Sequence, residues 1–205
     1  MRKFLLSGDP GVANFGLVLW DLESGKCLLA TKLQHAISDL TAEFQPQLDS
    51  FLAEVQKHLN SVGYNSEDDY LVVALERFIA RGMRTSSTPE LIPLMMGVLV
   101  TLADESHLYI AATWKGYVNR ALKPLKATLQ ITAKNKDAML KHDIRLSIYK
   151  KYGRRLGTGG HIIDAALIGK HYMALNGFNR LTTIADFKNL FKEVQGALCL
   201  PAKKR

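Results

Sequence analysis

Apolar positions in this chain start as short compact runs and pass into longer stripes, and the change of period marks out the elements. Residues 3 to 8 and 15 to 21 are apolar runs separated by Asp9-Pro10-Gly11-Val12-Ala13-Asn14, which predicts two strands joined by a turn. Leu22-Glu23-Ser24-Gly25 turns the chain into a third run, Cys27 to Leu33. Short connections imply antiparallel pairing, hence a three-strand meander.

From Thr41 the period lengthens. Phe44, Leu48, Phe51, Leu52, Val55 and Leu59 recur at three and four residues, the stripe of an amphipathic helix, closed by Gly63 and Glu67-Asp68-Asp69. Tyr70 to Leu75 is almost uninterrupted apolar sequence ending in Glu76, the pattern of a strand covered on both faces. Thr88-Pro89-Glu90 opens a second helix with a cap, a proline at the first turn and an acid near the positive end. Leu91, Leu94, Met95, Val98, Leu99 and Leu102 form its stripe, and His107 to Ala112 is predicted as a further strand. Leu140, Ile144, Ile148 and Tyr152 lie four apart, predicting a helix over 134–152 that the glycines of 157–160 break. An apolar helix follows from His161 to about Leu175, stopped by Asn176-Gly177, then an amphipathic helix from Ile184 to Leu198 and a frayed tail from Pro201. The order predicts an α/β fold, a sheet with a meander at one edge in which the first and fourth strands are neighbours.

Composition narrows this picture. With 205 residues, 47% of them hydrophobic, the chain fits one domain with a full core. Cys27 and Cys199 lie too far apart for a CxxC metal site or a disulfide framework, so an intracellular protein is expected. The opening Met1 to Leu6 starts like a signal peptide but stops at Ser7-Gly8-Asp9, and no run reaches membrane-spanning length. Charge is unevenly spread. Residues 113–155 carry twelve Lys and Arg against Asp137 and Asp143, a net +10 within a chain of net +8. Such a block is either a solvated face or the footprint of a polyanion partner, and DNA bound through it would be released steeply by salt.

Asp9, Glu76 and Asp164 each sit where an apolar element ends, and His161, three residues before Asp164, shares its helix face. Charged groups in such places cost free energy unless paired or metal-bound. Carboxylates with one imidazole suit Mg²⁺ or Mn²⁺, and two such ions roughly 3.5 to 4 Å apart activate water and stabilise the leaving oxygen of a phosphodiester. Each residue also has a local reading. Asp-Pro-Gly favours turns by itself, Glu76 can pair with Arg77, Arg81 or Arg84, and Asp164 can complement a helix dipole.

Taken together and in order, these residues resemble the RuvC-type Holliday junction resolvases of the RNase H-like superfamily. Ser7 to Asp21 is similar to that family's DPG-x-x-x-x-G opening, Ala74-Leu75-Glu76-Arg77-Phe78 to its second acidic strand, and Gly160 to His171 to its closing H/D-x-x-D-A motif, over residues 3 to about 175. The resemblance implies an RNase H-like mixed five-stranded sheet, a three-strand antiparallel meander plus parallel strands, flanked by helices. It implies Asp9, Glu76, His161 and Asp164 as catalytic metal ligands holding two Mg²⁺ ions, for which Mn²⁺ substitutes. It also implies a homodimer that cuts opposite strands of a four-way or branched DNA junction to 5′-phosphate and 3′-hydroxyl ends. Lys115 and Lys136 resemble basic residues of the family's catalytic face; Arg81, Arg84, Lys134, Lys141 and Arg145 are the further expected DNA contacts. Ile79 occupies the slot of an aromatic junction wedge, with Phe78 one residue earlier and expected in the core unless the strand ends before it.

Residues 1–180 are expected to form the nuclease domain and 181–205 a C-terminal helical extension of it, without counterpart in the family. The expected setting is the cytoplasm of a bacterium or phage-infected host. An actin-like or sugar-kinase-like ATPase also opens with an acidic strand turn, but needs a second similar domain and a second glycine-rich phosphate turn. A non-catalytic branched-DNA-binding protein is expected to lose metal ligands, and all four candidates are present. His35, His58, His107, His142 and His171 show no ligand spacing, and Trp20 and Trp114 are expected in the core.

Overall fold

The meander predicted from the short connections forms as β1 (Lys3–Asp9), β2 (Phe15–Asp21) and β3 (Lys26–Leu33). The computed structural model describes residues 1–11, 14–33, 44–78, 88–121, 160–178, 180–182 and 184–199. β4 (Tyr70–Glu76) adds in parallel to β1, and β5 (Glu105–Tyr109) in parallel to β4, giving the order β3-β2-β1-β4-β5. This is the mixed five-stranded sheet expected from the resemblance, with the first and fourth strands at its centre.

Period-2 alternation divides the strands between two cores. On one face, Phe4, Leu6, Leu71, Val73 and Leu75 pack with α1 (Phe44–Ser61) and α2 (Thr88–Leu102). On the other, Leu5, Val72 and Ala74 pack with α3 (Ala111–Ala121), α4 (His161–Leu175) and α5 (Ile184–Gly196). α4 is the central element of that second layer. Its residues Ile162, Ile163, Ala165, Ala166, Ile168 and Met173 are buried, as expected of a helix that is apolar nearly all round. Gly160 precedes it at φ 104, in the left-handed region that favours glycine, and Gly177 follows at φ 84.

The region after β4 differs from the sequence expectation. The fifth strand runs Glu105–Tyr109 rather than His107 to Ala112, and Ala111 already begins α3. A short apolar run cannot by itself distinguish strand from helix. The signal that resolves it is the spacing of Trp114, Tyr117 and Val118, all buried on one helical face. β4 ends before Phe78, which is half-buried against the α1/α2 core. The helix expected over 134–152 and the tail from Pro201 lie outside the described residues, as do His35 and His142.

α5 ends at Gly196 rather than at Leu198, and the chain then runs along β3. Ala30 N–H donates to Ala197 O at 2.8 Å, and Cys199 N–H to Ala30 O at 2.8 Å. The Cys27 N–H donates to Glu193 Oε1 at 2.6 Å and Thr31 Oγ1 to Cys199 O at 2.6 Å. These contacts cover the outer edge of β3, a strand edge that would otherwise offer unpaired backbone groups. Among the described residues no helix is long and apolar enough to cross a membrane.

Candidate active site

The carboxyl ends of β1 and β4 lie side by side. Gly8 stands opposite Leu75 in the parallel register, so Asp9 and Glu76 are the next positions on strands about 4.8 Å apart. Leu5 and Ser7 lead to Asp9, and Val72 and Ala74 to Glu76, so both acids project to the α4 face.

α4 brings the other two candidates to this corner because two glycines let it lie directly on the sheet. A β-carbon at Gly16 of β2 would overlap the backbone carbonyl of His161. One at Gly169 would stand 2.5 Å from Trp20 Nε1 and 2.8 Å from Ser7 Oγ. Trp20 Nε1 donates to Ser7 Oγ at 2.8 Å beneath Gly169. Gly16, the last glycine of the opening motif, is therefore where the first turn of α4 seats.

So seated, His161 Nδ1 and Asp9 Oδ2 are 2.6 Å apart. This hydrogen bond raises the His161 pKa above the ordinary imidazole value; burial opposes it, while the charges of Asp9 and Asp164 reinforce it. Asp164 is thus within electrostatic range of the imidazole. Lys32, opposite Gly16 on β3, is close enough to act in the lowering direction. Sequence patterning offered no sign of Lys32, because a lysine on a half-exposed strand face is unremarkable.

Among the described residues, Glu76 meets partners not considered on sequence grounds. Its Oε2 accepts from Trp114 Nε1 at 2.8 Å and lies 3.6 Å from Lys115 Nζ. Glu76 stands opposite Tyr109 in the β4–β5 register, and the Tyr109 carbonyl accepts from Arg77 N–H at 2.7 Å. The turn from β5 into α3 therefore places Trp114 and Lys115 over the end of β4. Trp20 and Trp114 are both fully buried, as expected, but the indole of Trp114 also serves the acid.

Of the expected site, the structure joins Asp9 to His161, sets Asp164 nearby, and joins Glu76 to Lys115. Among the described residues no group of three or more His, Cys, Asp or Glu side chains is arranged to hold a metal ion. The donor chemistry nevertheless fits a hard divalent cation. Asp9 and Glu76 are carboxylates on adjacent strand ends, and their side chains keep 12% and 21% exposure, so they are within reach of solvent. Each now has a protein hydrogen-bond donor or cation beside it instead. Ile79, Arg81, Arg84, Lys134, Lys136, Lys141 and Arg145 lie outside the described residues.

With this geometry in hand, known proteins offer a comparison of fold. A structure of T. thermophilus RuvC in complex with a Holliday junction substrate matches with a TM-score of 0.49 at 13% identity, covering 85% of this chain and 96% of that one. A second Thermus thermophilus RuvC structure gives a TM-score of 0.45 at 13% identity, covering 84% of this chain and 96% of that one. The yeast mitochondrial Holliday junction resolvase Ydc2 gives 0.43 at 14% identity, covering 94% of this chain and 85% of that one. No protein-family model matches the chain, and no curated protein does.

Proposed function

We propose that this chain is a divalent-metal-dependent endonuclease that resolves four-way or branched DNA junctions by paired phosphodiester hydrolysis, leaving 5′-phosphate and 3′-hydroxyl ends. The observation that carries this reading is the placement of Asp9 and Glu76 on adjacent parallel strand ends, with His161 and Asp164 brought alongside by the first turn of α4. These are the four positions that the motif resemblance singled out.

Asp9, Glu76 and Asp164 would supply oxygen donors to the metal and His161 a nitrogen. When bound, Mg²⁺ or Mn²⁺ supplies Lewis acidity toward the phosphate and lowers the pKa of a coordinated water. The chain's own groups do the rest. Lys115, at 31% side-chain exposure, offers an ammonium at the rim of the site to an approaching phosphate. His161, with Nδ1 2.6 Å from Asp9 Oδ2, orients that carboxylate. A homodimer would set two such sites against opposite strands of one junction, and the cationic 113–155 segment would follow the DNA backbone.

The test is cleavage of a synthetic four-way junction by the purified chain with Mg²⁺ or Mn²⁺. Paired nicks are expected, abolished by Asp9→Asn with junction binding retained. Tight binding with no cleavage under either metal would refute the enzyme assignment in favour of a branched-DNA-binding protein. Equal cleavage of linear duplex would refute the junction assignment.

A further inference from the structure

We infer that Trp114 is a positioning residue for Glu76, holding its carboxylate through the buried indole N–H so that the acid is oriented for metal before any metal arrives. The inference deepens the endonuclease reading and rests on it.

Trp114 is completely buried, and its Nε1 lies 2.8 Å from Glu76 Oε2. A buried indole N–H requires an acceptor. Here the acceptor is a carboxylate at the mouth of the site, which makes the bond charge-assisted and stronger than one to a neutral carbonyl. The indole is a donor only and does not titrate, so the bond persists over the working pH range without competing for protons.

The neighbouring residue completes the device. Lys115 Nζ lies 3.6 Å from the same Oε2 and 4.7 Å from the centre of the Trp114 ring. The ammonium is thereby held between a carboxylate and an aromatic face. Two consecutive residues of α3 thus act on one oxygen, one from the core and one from the rim. A glutamate at a strand end otherwise rotates about several bonds. Anchored at Oε2, it keeps one plane, set by a helix whose Tyr117 and Val118 are also buried in the core. Removing a donor that holds a metal-binding carboxylate typically changes metal affinity or activity by about 10- to 100-fold.

Trp114→Phe keeps the ring and deletes the donor. Mn²⁺ titration of the metal-free chain by calorimetry should show affinity lower by about 10- to 100-fold. Junction cleavage should show a lower kcat at limiting metal, recovering as metal is raised, with the KM for DNA unchanged. In a Glu76→Gln background the same substitution should produce no further loss. The inference is overturned if Trp114→Phe matches the wild type in Mn²⁺ affinity and cleavage while Glu76→Gln loses both. If Glu76→Gln itself matches the wild type, or the wild type takes up no Mn²⁺, the endonuclease reading falls and the inference falls with it.

Should Trp114→Phe fail to fold, the two tryptophans of the wild type provide the answer by NMR. The Trp114 indole N–H resonance should move on Mg²⁺ addition and in Glu76→Gln, while that of Trp20, bonded to Ser7, stays in place. An unmoved Trp114 resonance overturns the inference.

Discussion

Gly16 and His161 touch backbone to backbone: a β-carbon at position 16 would overlap the His161 carbonyl. Because the obstacle is main chain rather than a flexible side-chain tip, Gly16→Ala must push the start of α4 off β2. Its expected cost is about 1–3 kcal/mol, the range for overpacking, read as a lower urea midpoint. The same displacement should part His161 from Asp9, so junction cleavage should fall further than the loss of folded protein explains.

Gly169 marks the second close approach. Alanine there would stand 2.5 Å from Trp20 Nε1 and 2.8 Å from Ser7 Oγ, disturbing the buried hydrogen bond between them. Gly169→Ala is expected to cost about 1–3 kcal/mol. Ser7→Ala, which leaves the indole N–H without that acceptor, should also cost about 1–3 kcal/mol. Equilibrium unfolding of the two variants checks both values.

Acid should weaken the fold through Asp69. Its carboxylate accepts from Arg2 Nη2 at 2.6 Å, Arg2 Nε at 3.0 Å and Asn65 N–H at 2.9 Å. The hydrogen bond from Arg2 is the largest cause that holds its pKa below the ordinary carboxylate value, with burial opposing. A depressed folded-state pKa means that the unfolded chain binds the proton first. The contribution is therefore complete above the ordinary value and is lost as pH falls through it toward the folded value. The stability gap between wild type and Asp69→Asn should be flat near neutral pH and narrow in acid, measured by denaturant titration at successive pH values.

The two thiols should behave oppositely. Cys27 is buried and its pKa is pushed up to about 12, by burial first and then by the charge of Glu193, whereas Cys199 is exposed. At neutral pH an alkylating reagent should modify the native chain once, at Cys199, and a second time only in denaturant. Peptide mass analysis locates the adduct. Native labelling of Cys27 at the rate of Cys199 would contradict the packing of α5 against β3.

Much of the architecture was legible before any coordinates, because it depends on period. The apolar runs at Lys3–Asp9 and Tyr70–Glu76 and the all-round apolar helix His161–Leu175 are local patterns, and each formed where the pattern placed it. Acids at the ends of such elements stand out for the same reason, so Asp9, Glu76 and Asp164 could be named from sequence. Segment type failed at residues 110–112, where a short apolar run suits strand and helix alike and only the packing of Trp114 and Tyr117 in the core selects α3.

What the sequence determined by itself is thus the order of elements, the faces they bury and the residues left at their ends, since these follow from spacing along one chain. Partners were decided only in three dimensions. Glu76 meets Trp114 and Lys115 from 38 and 39 positions away, and Asp9 meets His161 from 152. Those pairings arise where parallel strand ends, the β5–α3 turn and a helix seated on Gly16 converge, and no pattern along the chain encodes that distance.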